Sequence, residues 1–212
     1  MYTPKFFASD DEALARKVVA DHPFGMLMTL PAAGSEDACD ISHLPMLWCD
    51  GGGPDGRLIG HVAKANPHGA RFDGAAASVA VFSGPHAYIS PNWYAHDGLV
   101  PTWNYAAVHL HGTPRAVTDE AGATDILDML VGVFESDASG NWSTAKLPDD
   151  VLVKQLRGIV AFEMPVTRVE TKVKMSQNRA PDDIAGVINA LDTSNYEDDR
   201  ATAAMMRALN GR

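Results

Sequence analysis

Apolar residues follow a helical period near the start of the chain and then change to short, strand-like runs. Ser9 and Glu12 have the spacing of a capping box, and Leu14, Val18 and Val19 then fall on one helical face. The pattern predicts a helix that ends at the following His-Pro pair.

Between residues 24 and 117, the apolar runs have the length of strands and are broken by Gly, Pro, Asn and Asp. The glycine-rich segment 50–56 predicts a flexible hairpin loop. Because few helical patterns separate the runs, the chain favours an antiparallel barrel or sandwich over a parallel sheet. The predicted strands are residues 25–30, 41–48, 57–63, 78–82, 87–90 and 105–117.

The second half of the chain adds helical patterns around two closing strands. We predict helices at residues 120–134 and 151–156, a polar surface loop at 135–147, strands at 158–165 and 167–175, and helices at 181–191 and 198–209. The expected fold class is therefore mainly β with peripheral helices (α+β). We expect one domain over residues 1–212, with C-terminal helices at about 181–209 that pack on the barrel or on a partner chain.

Composition limits the function classes. The 212 residues include 17 Lys and Arg against 27 Asp and Glu, a formal net charge of −10, which disfavours broad, non-specific binding to nucleic acid. No stretch approaches the roughly 18 apolar residues of a membrane-spanning helix. Two cysteines and no signal-peptide pattern favour a cytoplasmic protein without a disulfide scaffold.

Histidines are concentrated in the middle of the chain, where seven of the eight lie between positions 43 and 111. This concentration favours a polar pocket. His109 and His111 share a strand face, and a third histidine such as His43 or His61 would complete a zinc site. Because no carboxylate stands at ligand spacing and no His-Glu-x-x-His motif occurs, we predict no metal.

A phosphate-bearing aromatic cofactor fits the remaining polar residues better than a nucleophilic site or a P-loop. Lys64 and Asn66 can hold a phosphate at the end of a strand. Apolar walls for a planar ring can come from Trp93, Trp103 and Tyr105. Residues 174–179 form a second dense polar group, for which an ordinary solvated turn is the alternative.

Several motifs occur in a fixed order along nearly the whole chain. They are MYTPKFF at residues 1–7, SHLP at 42–45, GHVAKANP at 60–67, VFSGPHAYISP at 81–91, VPTWNY at 100–105 and KMSQNR at 174–179. In this order they resemble the PaiB family of FMN-binding negative transcriptional regulators.

The resemblance implies an antiparallel split β-barrel of the FMN-binding type, which forms a homodimer with FMN in a cleft between subunits. Lys64 would then be the phosphate cation, with Asn66 as its hydrogen-bond partner, and the late motif would close the cleft. The implied cofactor-binding residues are Ser42, His43, His61, Ala63, Lys64, Asn66, Thr102, Trp103, Asn104, His109, Lys174, Gln177 and Asn178.

Two functions follow from the resemblance. The first is negative transcriptional regulation, which requires DNA as a partner. Two observations weaken this function: the net charge of −10, and the lack of a helix-turn-helix with a basic second helix. The alternative is an oxidoreductase that uses flavin, or haem, on the same fold. For haem, the candidate axial ligands are His43, His61 and His109. No catalytic acid or base can be assigned from spacing.

Overall fold

The first helix is capped by a different residue from the one predicted. The computed structural model describes residues 1–31 and 38–211. Helix α1 spans Glu12–Asp21, and the Oδ1 atom of Asp11 accepts the Leu14 N–H at 3.0 Å. Ser9 Oγ instead accepts the Asp11 N–H at 3.2 Å. The predicted helix is confirmed, but its cap is Asp11 rather than Ser9.

The strands of the described chain form one sheet in the order β2-β1-β5-β6-β8-β4-β3, and β7 pairs with β8. The pairs β1–β2, β1–β5, β3–β4, β4–β8 and β7–β8 are antiparallel, as predicted. The strand bounds are β1 Phe24–Thr29, β2 Asp40–Pro45, β3 Leu47–Cys49, β4 Arg57–Ala63, β5 Ser78–Ile89, β6 Thr102–Gly112, β7 Arg115–Val117 and β8 Ile159–Lys174.

Several strand boundaries differ from the predicted ones. The run 41–48 divides into β2 and β3 because the two parts pair with different strands, β2 with β1 and β3 with β4. The Met46 N–H, which donates to Pro23 O at 3.0 Å, extends the contact of β2 with the β1 side by one residue. The runs 158–165 and 167–175 are one strand, β8. Pro165 lies opposite Arg57, the first residue of β4, so its missing N–H falls at the end of that ladder.

Five α-helices accompany the sheet in the described residues: α1, then α2 Glu120–Phe134, α3 Asp149–Leu156, α4 Pro181–Asp192 and α5 Glu197–Asn210. The predicted bounds of α2 are confirmed. None of the helices in this part of the chain combines the length and the apolar character that crossing a bilayer requires.

The chain divides into two compact units. Unit 1 contains Met1–Asp21, Ser83–Val108 and Glu170–Arg212, and unit 2 contains His22–Phe82 and His109–Val169. The prediction of a single domain stays a prediction.

Each unit has its own apolar core. In unit 1, α4 and α5 bury Leu191 and Met206 completely. In unit 2, Met46 and Phe162 are completely buried, and the Phe72 and Phe162 rings are 4.7 Å apart.

Candidate functional site

The residues of strand β4 point alternately to the two faces of the sheet. Gly60 faces the core, where an added Cβ would lie 3.0 Å from the Phe162 ring. Its neighbour His61 is paired with Ala161 of β8 and shares the opposite face with Ile59. Helix α2 covers that face, since its buried residues pack with Ile59 and Ala161. This face of β4 is therefore the one that packs against helix α2.

Asn66 orders the loop that follows β4. Its Oδ1 atom accepts the His68 N–H at 3.0 Å and so caps the 3-10 turn Pro67–Arg71. Its Nδ2 atom donates to Ser42 Oγ at 3.1 Å. Because protein groups occupy both ends of the amide, Asn66 holds the shape of the loop.

A buried chain of polar side chains continues from Ser42, and sequence reasoning missed its central residue, His68. The His68 ring joins Ser42 Oγ through Nδ1 and Thr29 Oγ1 through Nε2, both at 2.8 Å. Thr29 Oγ1 is in turn 2.7 Å from Ser78 Oγ. The only signal in the sequence is that His68 follows Asn66 by two residues within the histidine-rich region.

Burial keeps the His68 ring neutral. Desolvation lowers its pKa, while the Asp40 carboxylate raises the pKa and the Arg71 guanidinium lowers it. A neutral imidazole has one donor and one acceptor nitrogen, and the two hydroxyl groups can satisfy both.

Unit 2 contains a cavity of about 660 Å³ beside this loop. Its walls come from residues 64–70 after β4, residues 116–123 at the start of α2, and residues 153–161 from α3 into β8. Most of the lining is apolar. The charged and polar lining residues are Lys64, Asn66, Thr118, Asp119, Glu120 and Arg157.

Lys64 stands at the edge of this cavity. Its N–H donates to Gly158 O at 2.8 Å, which fixes the backbone. The side chain is exposed, and within residues 1–31 and 38–211 its ammonium group has no hydrogen-bond or ion-pair partner. The charge is therefore available to an anion.

His61 carries a buried nitrogen without a hydrogen-bond partner among the described residues, Nδ1. Burial lowers the pKa of this half-buried side chain. His61 shares its strand face with Ala161, which lines the cavity. His61 itself does not line the cavity.

The other predicted residues of unit 2 do not line the cavity. His43 is exposed on the face of β2 opposite Ser42, and Ala63 is exposed at the end of β4. His109 is half-buried, with its ring centroid 6.4 Å from that of His111.

In unit 1, the structure brings Lys174 together with Thr102 and Trp103. The Lys174 ammonium donates to Thr102 Oγ1 and, at 2.8 Å, to Trp103 O. Burial lowers the pKa of Lys174, and the nearby charges of Lys172 and Arg179 lower it further. The Trp103 side chain is 53% exposed and presents an aromatic surface.

Asn104 and Gln177 are occupied inside unit 1. Asn104 is buried and donates through Nδ2 to Ser176 Oγ at 2.9 Å. Gln177 accepts the Met175 N–H and donates to Val173 O, both at 2.6 Å, which closes the end of β8. Asn178 is exposed.

The unit 2 cavity has the properties that a phosphorylated planar cofactor requires. Its volume of about 660 Å³ lies within the usual range for small-molecule sites, roughly 300–1,000 Å³. Its lining is mostly apolar, and Lys64 supplies a positive charge. The residues present fit FMN.

Comparison with known proteins identifies relatives of the whole chain. The family model described as "Putative FMN-binding domain" matches residues 1–168. The protease synthase and sporulation protein PAI 2 of Bacillus subtilis is 31% identical over 207 residues, which cover 97% of this chain and 96% of that protein.

Solved structures show the same fold at low sequence identity. The flavocytochrome Anf3 from Azotobacter vinelandii has a TM-score of 0.60 at 15% identity, covering 94% of this chain and 78% of the other. The FAD and haem binding protein from Mycobacterium smegmatis has a TM-score of 0.58 at 14% identity, covering 84% and 78%. The predicted antiparallel split β-barrel with helices is confirmed.

Proposed function

The chain belongs to the PaiB family of FMN-binding split-barrel proteins, and we propose that it holds the FMN phosphate at Lys64, in the cavity beside β4. Bound FMN supplies the redox chemistry of its ring. The residues of the chain bind and orient it.

One observation carries the location. Lys64 is exposed at the edge of a cavity of about 660 Å³ and has no counter-ion among the described residues. A phosphate accepts charge-assisted hydrogen bonds from such a group. The Ser42–Asn66 hydrogen bond keeps the loop in shape.

The unit 1 residues Thr102, Trp103 and Lys174 remain proposed contacts to the flavin ring in a homodimer. The exposed Trp103 indole supports this role because an aromatic surface packs on a planar ring. The molar mass of the FMN-loaded protein, measured by light scattering, tests the homodimer.

The visible spectrum of the purified protein tests the cofactor. We expect the absorption bands of a flavin; a Soret band would instead identify haem, and a protein that takes up neither would contradict the proposal.

Flavin titrations of the apoprotein test the proposed phosphate contact. Lys64→Ala should weaken FMN binding roughly tenfold and leave riboflavin, which lacks the phosphate, nearly unchanged. Lys154→Ala is the matched control, because Lys154 is exposed on α3 and does not line the cavity. Unchanged FMN affinity in Lys64→Ala would argue against the phosphate role.

A role beyond FMN binding also remains a proposal. Negative transcriptional regulation is supported by the resemblance to the PaiB family, whereas the cofactor site equally supports an FMN-dependent oxidoreductase without DNA binding. The net charge of −10 favours the second function, and Arg16, Lys17 and Arg71, three of the 17 basic residues, are also paired with carboxylates. Paired cations offer less charge to DNA phosphates.

A further inference from the structure

The loop before β8 lies beside the loop after β4. Ala63 and Ile159 are the last paired residues of the two strands, and the Lys64 N–H continues the pairing with Gly158 O at 2.8 Å. Arg157 directly precedes Gly158 and lines the same cavity as Lys64. Two basic residues that are distant in the sequence thus line the same cavity from adjacent loops.

Neither cation is neutralised by the protein. Arg157 is exposed, as is Lys64, and in the described part of the chain its guanidinium has no ion-pair or hydrogen-bond partner. Like charges that line one cavity repel each other, weakly where water surrounds them. An anion between them would replace that repulsion with two attractions.

The acidic residues of the cavity lie on the far side of β8. Asp119 and Glu120 follow β7, which pairs with β8 at Val117–Ala161, whereas Lys64 follows β4 on the other edge of β8. Because β4 and β7 pair with opposite edges of β8, they are two strand spacings, roughly 10 Å, apart. The Asp119 carboxylate also caps α2 by accepting the Gly122 N–H at 2.8 Å. The β4 edge is therefore the cationic side.

We infer that Arg157 is a second phosphate-binding residue of the cofactor site. Its planar guanidinium can donate two N–H groups to phosphate oxygens, while Lys64 contributes a point charge from the neighbouring loop. The inference rests on the proposed FMN function. It adds a residue of the α3–β8 junction, which none of the family-derived contacts includes.

If Arg157 had a purely structural role, its substitution would affect flavin binding in a different way. Arg157 is the C-cap of α3, where a cation interacts favourably with the helix dipole. Loss of that interaction would destabilise the helix, and it would change the binding of FMN and riboflavin equally. The ratio of the two affinities therefore separates the roles.

The experiment is a fluorescence titration of apoprotein with FMN and with riboflavin. The variants are Arg157→Gln, Arg157→Lys, Lys64→Ala and the control Lys154→Ala, with thermal unfolding followed for each. We expect Arg157→Gln to weaken FMN binding roughly tenfold and riboflavin binding less than about twofold. Arg157→Lys should recover part of the loss because it restores the charge without the fork of donors.

The outcomes distinguish this inference from the proposal on which it rests. Wild-type protein that binds neither flavin would overturn both. If Lys64→Ala weakens FMN binding but Arg157→Gln does not, the role of Arg157 fails and the FMN site stands. An equal loss of FMN and riboflavin affinity in Arg157→Gln would also overturn the inference, because it would indicate a structural role.

Discussion

His68 shows how a single buried residue can hold a functional loop in place. Its ring bridges Ser42 and Thr29 at 2.8 Å on each side, and its N–H binds Asn66 in the loop that leads from Lys64. Removal of the ring would leave buried hydroxyl groups with fewer partners. Each buried polar group without a partner costs roughly 1–3 kcal/mol.

His68→Ala should therefore lower the free energy of unfolding by at least about 1–3 kcal/mol, as measured by urea denaturation at neutral pH. The control is His43→Ala, which removes an exposed imidazole from β2 and should change stability by less than about 0.5 kcal/mol. Equal effects of the two substitutions would contradict a special role for the buried chain.

The protonation of His68 adds a pH dependence with a definite sign. Its pKa in the folded protein is lowered from 6.5, so the unfolded chain binds a proton more readily. The stability that the neutral ring contributes is present above pH 6.5 and is lost as the pH falls through the lower folded pKa. The stability difference between wild type and His68→Ala should shrink in that direction.

At the scale of the elements, helix α4 is joined to the segment after β5 by one carboxylate. Asp183 is buried, and its Oδ1 atom accepts the Ala95 N–H at 2.9 Å and the His96 N–H at 3.1 Å. The His96 Nδ1 atom is also 3.1 Å away. Gly186 allows the close approach, because a Cβ there would lie 2.1 Å from Trp93 O.

The ionised form of Asp183 is the one that these contacts favour. Burial by itself would raise its pKa, but the hydrogen bonds from His96 and Ala95 together with the His96 charge lower it below 3.8. The carboxylate therefore contributes stability above the pKa of an unfolded aspartate, and this contribution is lost as the pH falls through the lower folded value.

Asp183→Asn should destabilise unit 1 at pH 7, and the difference from wild type should diminish in acid, where the wild-type carboxyl is protonated. Urea denaturation at several pH values measures this change. Asp182→Asn removes the charge of the exposed neighbour and is the control. A stability difference for Asp183→Asn that is independent of pH would contradict the role of the charge.

Elements with strong local signals were predictable, and contacts between distant residues were not. The bounds of α2 follow from the apolar period and the Asp119 cap. The division between β2 and β3 could not be predicted, because it depends on their different partner strands, β1 and β4. Lys64 could be recognised because it belongs to a local motif. The roles of His68 and Arg157 could not, because their neighbours in the structure are far away in the sequence.

For the whole molecule, the net charge of −10 bears directly on the proposed regulatory role. DNA binding requires clustered cations that release counter-ions from phosphates. In the described residues, Arg16, Lys17, Arg71 and Arg207 are each engaged by a carboxylate, and Lys172 is buried under aromatic rings. These five are a minority of the 17 Lys and Arg residues, so the acidic excess of the whole chain is the stronger argument against an extended contact with a duplex.

We therefore expect the FMN-loaded protein to bind duplex DNA weakly, with a steep loss of affinity as salt rises and no preference between sequences. Fluorescence anisotropy with the duplex upstream of its own coding region and a scrambled duplex, at about 0.05 and 0.2 M salt, measures both properties. Preference for the upstream duplex that persists at the higher salt would contradict this expectation and support the repressor. Equal, salt-sensitive binding would leave the oxidoreductase as the function that the cofactor site supports, because FMN binding at Lys64 requires no cationic surface beyond the cavity itself.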